Sequence, residues 1–327
     1  MGAPSLERLV VLNPLGEAVG ERIAAVDPRL VVINDREAPG WARAHEVDVL
    51  LTAPGHGWRQ APAQAPAAWP GTLRWVHTAS VGVDFFPPWL LQVPQVSCAR
   101  GVAATPIADY VLSALLAHNQ PWAERRVNSP EAWRREFERA EAQPLRLLAG
   151  QHLGLLGFGA IGQAVARRAL AFGMQVTALR RSAAPLGEPG VALARSLPEL
   201  LAQVDHLVLA LPITAESRHV INAEALAHAR PGLHLVNIAR GALVDQEALL
   251  QALDSGRLGA ATLDVTDPEP LPAGHPLYTH PRVRLTPHIS WAAGEVQAAT
   301  ADKFITQLTR YLQGEPLADL VDAQRGY

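Results

Sequence analysis

The chain has 327 residues, a hydrophobic share of 49% and a formal net charge of −3, a balance that predicts a soluble globular protein of about two domains. It argues against a general nucleic-acid binder, which needs a basic face to neutralise phosphates. Cys98, the only cysteine, excludes an internal disulfide and a cysteine-rich metal site. The N-terminus carries no leader pattern and no run nears roughly 18 uninterrupted apolar residues, so the cytoplasm is the expected location.

In chain order, residues 6–12 predict a strand, a short helix follows around 16–26, and residues 30–33 and 47–52 are two further short apolar runs. From 53 to 70 alanine, proline and glycine dominate a loop holding His56, Trp58 and Trp69, which either reaches a cleft, with His56 and Trp58 shaping a pocket, or is a surface linker whose tryptophans pack. Residues 73–78 predict a strand entering Ala79-Ser-Val-Gly-Val-Asp84, a strand-to-helix turn whose N–H groups can bind a small carboxylate, although a plain turn has the same spacing. The clearest helix runs from about 101 to 118, with Thr105 as N-cap, Pro106 at the first helical position, Asp109 near the positive end of the dipole, and an apolar stripe of Ile107, Val111, Ala114 and Leu115. A polar helix with a lone Trp133 is expected within 128–146.

Residues 153–182 organise the chain as strand, glycine loop, helix and strand. Gly157, Gly159 and Gly162 have the G-x-G-x-x-G spacing, and Ile161, Val165, Arg168 and Ala169 continue it at helical period. This spacing permits a tight turn, close approach of backbone to a pyrophosphate, and tight helix-to-strand packing. Gly157, Gly159, Ala160, Ile161 and Gly162 are therefore candidate cofactor residues at a helix N-terminus. Where a carboxylate would bind the ribose 2′-OH of NAD, this chain has Arg180 and Arg181 followed by Ser182. Guanidiniums there favour a 2′-phosphate, which points to NADP (NADPH) with NAD possible. The competing view is that they are ordinary surface arginines, in a chain whose only lysine is Lys303.

After a Pro/Gly-rich loop, a helix is expected at 197–201, a buried strand at 205–212, and further strands beginning at His234, Gly259 and Val283. Alternating strands and helices predict an α/β protein with doubly wound parallel sheets and ligands at the strands' carboxyl ends. Arg240, Glu269 and His288 stand at such ends. Taken singly each has a structural explanation; together they suit hydride exchange between a nicotinamide and a 2-keto or 2-hydroxy acid. Histidine supplies the proton, a carboxylate orients and charges it, and arginine binds the substrate carboxylate.

These motifs, from Ser80-Val-Gly-Val-Asp through the Gly157 loop, Asn237-Ile-Ala-Arg-Gly, Leu263-Asp-Val, Glu269-Pro-Leu-Pro and Thr286-Pro-His-Ile-Ser-Trp, resemble the D-isomer-specific 2-hydroxyacid dehydrogenase family along nearly the whole chain. The resemblance implies that Arg240 binds substrate, His288 is the acid/base and Glu269 its partner. It implies too that the Val81 and Gly82 amides hold the substrate carboxylate, that Asp264 and the Ala239 backbone contact the nicotinamide amide, and that Leu211 and Pro212 lie beside the adenosine. Trp291 is a further candidate for the substrate pocket. Formate dehydrogenases of this superfamily usually carry Gln where Glu269 stands, so formate is not the expected substrate. The Arg-Arg-Ser run and compact length look most like the NADPH-dependent glyoxylate/hydroxypyruvate reductases.

The resemblance further implies two Rossmann-like domains. A dinucleotide domain (99–289) is inserted into a discontinuous substrate domain (1–98 and 290–327), with hinges near 98–103 and 289–293, a site in the cleft, and a homodimer. Beyond Trp291 a final helix (about 294–312) and a tail are expected, with no regulatory domain. A small-molecule 2-keto acid is the expected partner, with no metal, membrane or nucleic acid. Two alternatives stand beside this: a bulkier 2-keto acid as substrate, or a nucleotide-sensing interaction protein resembling the C-terminal-binding corepressors.

Overall fold

The computed structural model describes residues 8–181, 186–323 and 325. The chain divides into two compact units, Met1–Val102 with Ala293–Tyr327, and Ala103–Ala292. Each is an α/β layer structure around one parallel sheet.

In the first unit β1 (Leu9–Asn13), β2 (Leu30–Asn34), β3 (Val49–Thr52), β4 (Trp75–Thr78) and β5 (Gln95–Cys98) lie in the order β2-β1-β3-β4-β5. Alternation along the strands feeds two cores, as side chains of period two must. Leu9, Val11, Val49, Leu51 and Trp75 face α1 (Glu17–Ala24) and the last helix (Val296–Leu312), where Trp75 stacks on Phe304. Leu12, Leu50, Val76 and Val96 face an aromatic cluster of Trp58, Phe86 and Trp89. Trp58 is therefore a core residue, its indole N–H donating to Thr52 Oγ1 at 2.7 Å, and not a pocket wall. No α-helix follows the turn at 79–84; Pro87 and Pro88 lack N–H donors, and only the short 3₁₀ turn Pro88–Gln92 forms.

The second unit opens with α2 (Ala104–Asn119). Its N-cap is Ala103, without a side-chain cap, so the expectation of Thr105 as cap is corrected. The helix ladder already begins with Ile107 N donating to Ala103 O. Pro106 then sits inside the first turn, where no N–H has an intrahelical acceptor, so its missing donor costs nothing. The next helix, α3 (Pro130–Ala142), is capped by Ser129 and buries only Ala132, leaving Trp133 and Phe137 exposed. The sheet follows: β6 (His152–Leu156), β7 (Gln175–Leu179), β8 (Val191–Leu193), β9 (His206–Leu209), β10 (Leu233–Asn237), β11 (Leu258–Leu263) and β12 (Val283–Leu285). They are parallel in the order β12-β11-β10-β9-β6-β7-β8. Between them run α4 (Ala160–Ala171), α5 (Leu197–Gln203), α6 (Ala223–Ala227) and α7 (Gln246–Asp254). β8 lies where sequence patterning predicts only loop; it is a three-residue edge strand with no buried residue, too short to show a period.

The chain leaves β6 towards β7 and β8, then returns to the other side of β6 with β9. That reversal opens a crevice at the carboxyl edge, where loops after neighbouring strands part in opposite directions. All strands being parallel, the segments after β6, β7, β9, β10, β11 and β12 share this edge. Among the described residues no helix is long and apolar enough to cross a membrane.

Candidate functional site

The glycine loop after β6 has a separate physical reason for each glycine. Gly157 has φ +100°, and a Cβ there would lie 2.4 Å from Ala210 O, so the tight turn against the segment after β9 accepts nothing larger. A Cβ on Gly162 would lie 2.6 Å from Gly157 O, because α4 presses onto the loop. At Gly159, the N-cap of α4, a Cβ would meet nothing within 4 Å. The absence of a side chain leaves open space before the helix N-terminus, as a bound pyrophosphate requires. Ala160 and Ile161 begin α4, and Leu211 and Pro212 follow β9, where Ser217 Oγ donates to Pro212 O at 2.8 Å.

Arg180 follows β7. Its Nε and Nη2 are buried and have no hydrogen-bond partner among the described residues, a costly state for a guanidinium unless an anion completes it. Arg181 beside it is exposed, and Ser182 lies outside the described residues. Open space at Gly159 and an unsatisfied guanidinium at the end of the second strand together fit a dinucleotide.

Across the edge, β10 runs into Arg240, whose backbone is extended and whose Nη1 donates to Ala239 O at 2.7 Å. Ala239 N donates to Asn237 Oδ1, so both its backbone groups are already engaged. A Cβ on Gly241 would lie 2.0 Å from the Thr266 carbonyl carbon. Glycine here lets the Arg240 segment touch the loop that carries Glu269. In that loop Glu269 Oε2 meets His288 Nδ1 at 3.0 Å, both side chains being partly exposed.

His288 stands in the left-handed region with φ +57°, a cost that neighbouring bonds offset. Its N–H donates to Asp264 O and Thr286 O, and its carbonyl accepts the Trp291 indole N–H at 2.8 Å. Asp264, fully buried, accepts from Thr286 Oγ1 and Ile289 N at Oδ1 and from Ser290 N at Oδ2. That leaves one carboxylate lone pair for anything else. Trp291 thus meets the backbone of His288, with its ring half exposed. Val81 and Gly82 follow β4 in the first unit, where Ser80 Oγ donates to Gly82 O. No local pattern marks Tyr110 as functional, and Gly241 is visible in the sequence only as the glycine that follows Arg240 at a strand end. Among the described residues no group of acidic, histidine or cysteine side chains could hold a metal ion.

A doubly wound parallel sheet whose first strand enters a G-x-G-x-x-G loop at the switch point defines a Rossmann-type dinucleotide-binding domain. The family model for the D-isomer specific 2-hydroxyacid dehydrogenase NAD binding domain matches residues 112–290, more than half of the chain, which belongs to that family. Glyoxylate/hydroxypyruvate reductase A of Serratia proteamaculans is 40% identical over 176 residues, 54% of this chain and 56% of that protein, so the chain spans about half the length of that relative. The structure resembles the D-mandelate dehydrogenase of Rhodotorula graminis with TM-score 0.82 and 26% identity, over 97% of this chain and 98% of that one. A D-isomer specific 2-hydroxyacid dehydrogenase from Xanthobacter autotrophicus Py2, solved with NADPH and MES, gives TM-score 0.76 and 29% identity, over 98% and 100% of the two chains.

Proposed function

We propose that the protein reduces a small 2-keto acid, such as glyoxylate or hydroxypyruvate, to the D-2-hydroxy acid, with NADPH as preferred cofactor. The observation that carries this is the His288–Glu269 pair at 3.0 Å, on the same sheet edge as a glycine loop open at Gly159. When bound, NADPH supplies the hydride. Arg240 binds the substrate carboxylate and draws electron density towards the keto oxygen. Glu269 occupies His288 Nδ1, so the proton passes from Nε2 to that oxygen as negative charge builds there. The unpartnered nitrogens of Arg180 support a 2′-phosphate ligand, with Arg181 adding charge at the rim. Leu211 and Pro212 line the adenosine end, and the remaining lone pairs of Asp264 and Ala239 O receive the nicotinamide amide.

Trp133 and Phe137, one turn apart on α3, are both more than half exposed, an apolar pair that supports a homodimer through this helix. Changing Trp133 and Phe137 to Glu should halve the mass seen by light scattering; an unchanged mass removes this surface from the interface.

The test of function is loss of absorbance at the nicotinamide band with glyoxylate, hydroxypyruvate and bulkier 2-keto acids, each with NADPH and NADH. Turnover of the small acids with NADPH favoured about tenfold or more is expected. Faster turnover of bulky acids would move the substrate class, and cofactor binding without turnover on any would favour a sensing protein.

A further inference from the structure

Tyr110 lies on α2, far in sequence from the His288 loop, yet its hydroxyl sits 2.6 Å from Thr286 Oγ1. Thr286 Oγ1 is in turn 2.6 Å from Asp264 Oδ1. The direction of this chain follows from what each group can do. The Asp264 carboxylate only accepts, so Thr286 spends its single proton on it, and Tyr110 must donate to the Thr286 oxygen. Burial, with the Asp264 charge nearby, pushes the Tyr110 phenol above its ordinary pKa, which keeps that proton in place. The same carboxylate receives the amides of Ile289 and Ser290, the two residues after His288.

We propose that Tyr110 is a positioning residue for the acid/base histidine, acting through Thr286 and Asp264. Its hydroxyl polarises the Thr286 bond, and the four linked bonds hold the residues on either side of His288 at the register that sets Nδ1 against Glu269. Polarity and period offer no functional reason for a tyrosine at this point of a structural helix. The oxygen is what the brace uses, since the ring alone would serve packing.

The inference rests on the proposed function for its kinetic arm and is independent of it for its structural arm. Tyr110→Phe removes one oxygen. It should lower kcat about tenfold, change KM and NADPH affinity less than about twofold, and speed hydrogen exchange in the peptide holding Ile289 and Ser290. In a Thr286→Val background the same change should have no further effect on kcat or exchange, because the intermediary is gone. Thr286→Ser, which keeps the hydroxyl, should retain the sensitivity to Tyr110→Phe. Unchanged kcat and exchange in Tyr110→Phe, or effects that add in the double variant, would overturn the proposal. A lowered melting temperature with kcat and local exchange intact would do the same, since that is what packing alone predicts. Should the wild-type protein turn over no 2-keto acid, the proposed function fails and the exchange measurement alone decides the brace.

Discussion

At the amino end of the seven-stranded sheet, His206 opens β9 and His234 stands second in β10, both almost wholly buried. At the carboxyl end of the same sheet, Arg180, Arg240 and His288 follow β7, β10 and β12. The amino-end histidines form a closed relay. Gln151 Oε1 accepts from His206 Nε2, so His206 Nδ1 is the acceptor for His234 Nδ1–H at 3.1 Å, and Thr262 Oγ1 donates to His234 Nε2. His118 stacks on His234 and accepts from the Arg146 guanidinium. Every ring is neutral and every nitrogen of the His206–His234 pair is used. The carboxyl edge is the opposite: among the described residues Arg180 has two nitrogens without a partner, and the His288–Glu269 pair remains partly open to solvent. Buried titratable groups alone therefore do not mark a site.

The sharpest way to break this contrast is at His288. His288→Ala should lower kcat by about 10²–10⁴-fold and leave NADPH affinity nearly intact; an unaltered kcat removes the acid/base role. Next in size, Arg180→Ala should weaken NADPH by about 10- to 100-fold and NADH hardly at all. Equal losses in a binding titration would mean that the buried guanidinium touches something other than a 2′-phosphate.

The relay should have the smallest effect on turnover and a visible one on stability. Burial and neighbouring cations lower His206 to about 3 and His118 to about 4 from the ordinary 6.5, and push His234 well down. These groups take up protons in the unfolded chain before the folded one. Stability should accordingly fall as pH drops through about 6.5, by about 1.4 kcal/mol per pH unit for each proton bound only on unfolding. Melting curves from pH 7 to pH 5 read this directly, and a flat melting temperature would mean that the folded relay accepts protons.

Much of the site could be read in one dimension. The glycine spacing at 157, 159 and 162, the order of strand-end motifs and the polar residues Arg240, Glu269 and His288 all follow from local chemistry that needs particular residues at fixed spacings. Period-two and period-3.6 patterns likewise gave the parallel α/β architecture, because burial on one face leaves its period in the chain. The exceptions share a cause. β8 is too short to carry a period, the start of α2 depended on a backbone bond from Ile107 to Ala103, and Trp58 entered a core that its own loop could not reveal.

By itself, then, the sequence determined which residue types stand at the ends of which strands, and hence the dinucleotide loop and the hydride chemistry proposed for them. Tertiary structure alone decided how those residues spend their hydrogen bonds. It joined Tyr110 to Thr286, left two Arg180 nitrogens without a partner among the described residues, closed the histidine relay, and brought Glu269 to His288 across the touching backbones of Gly241 and Thr266. Periodicity records a side chain's polarity and the face it occupies, whereas a partner distant along the chain is set only by the packing that brings the two strands' ends together.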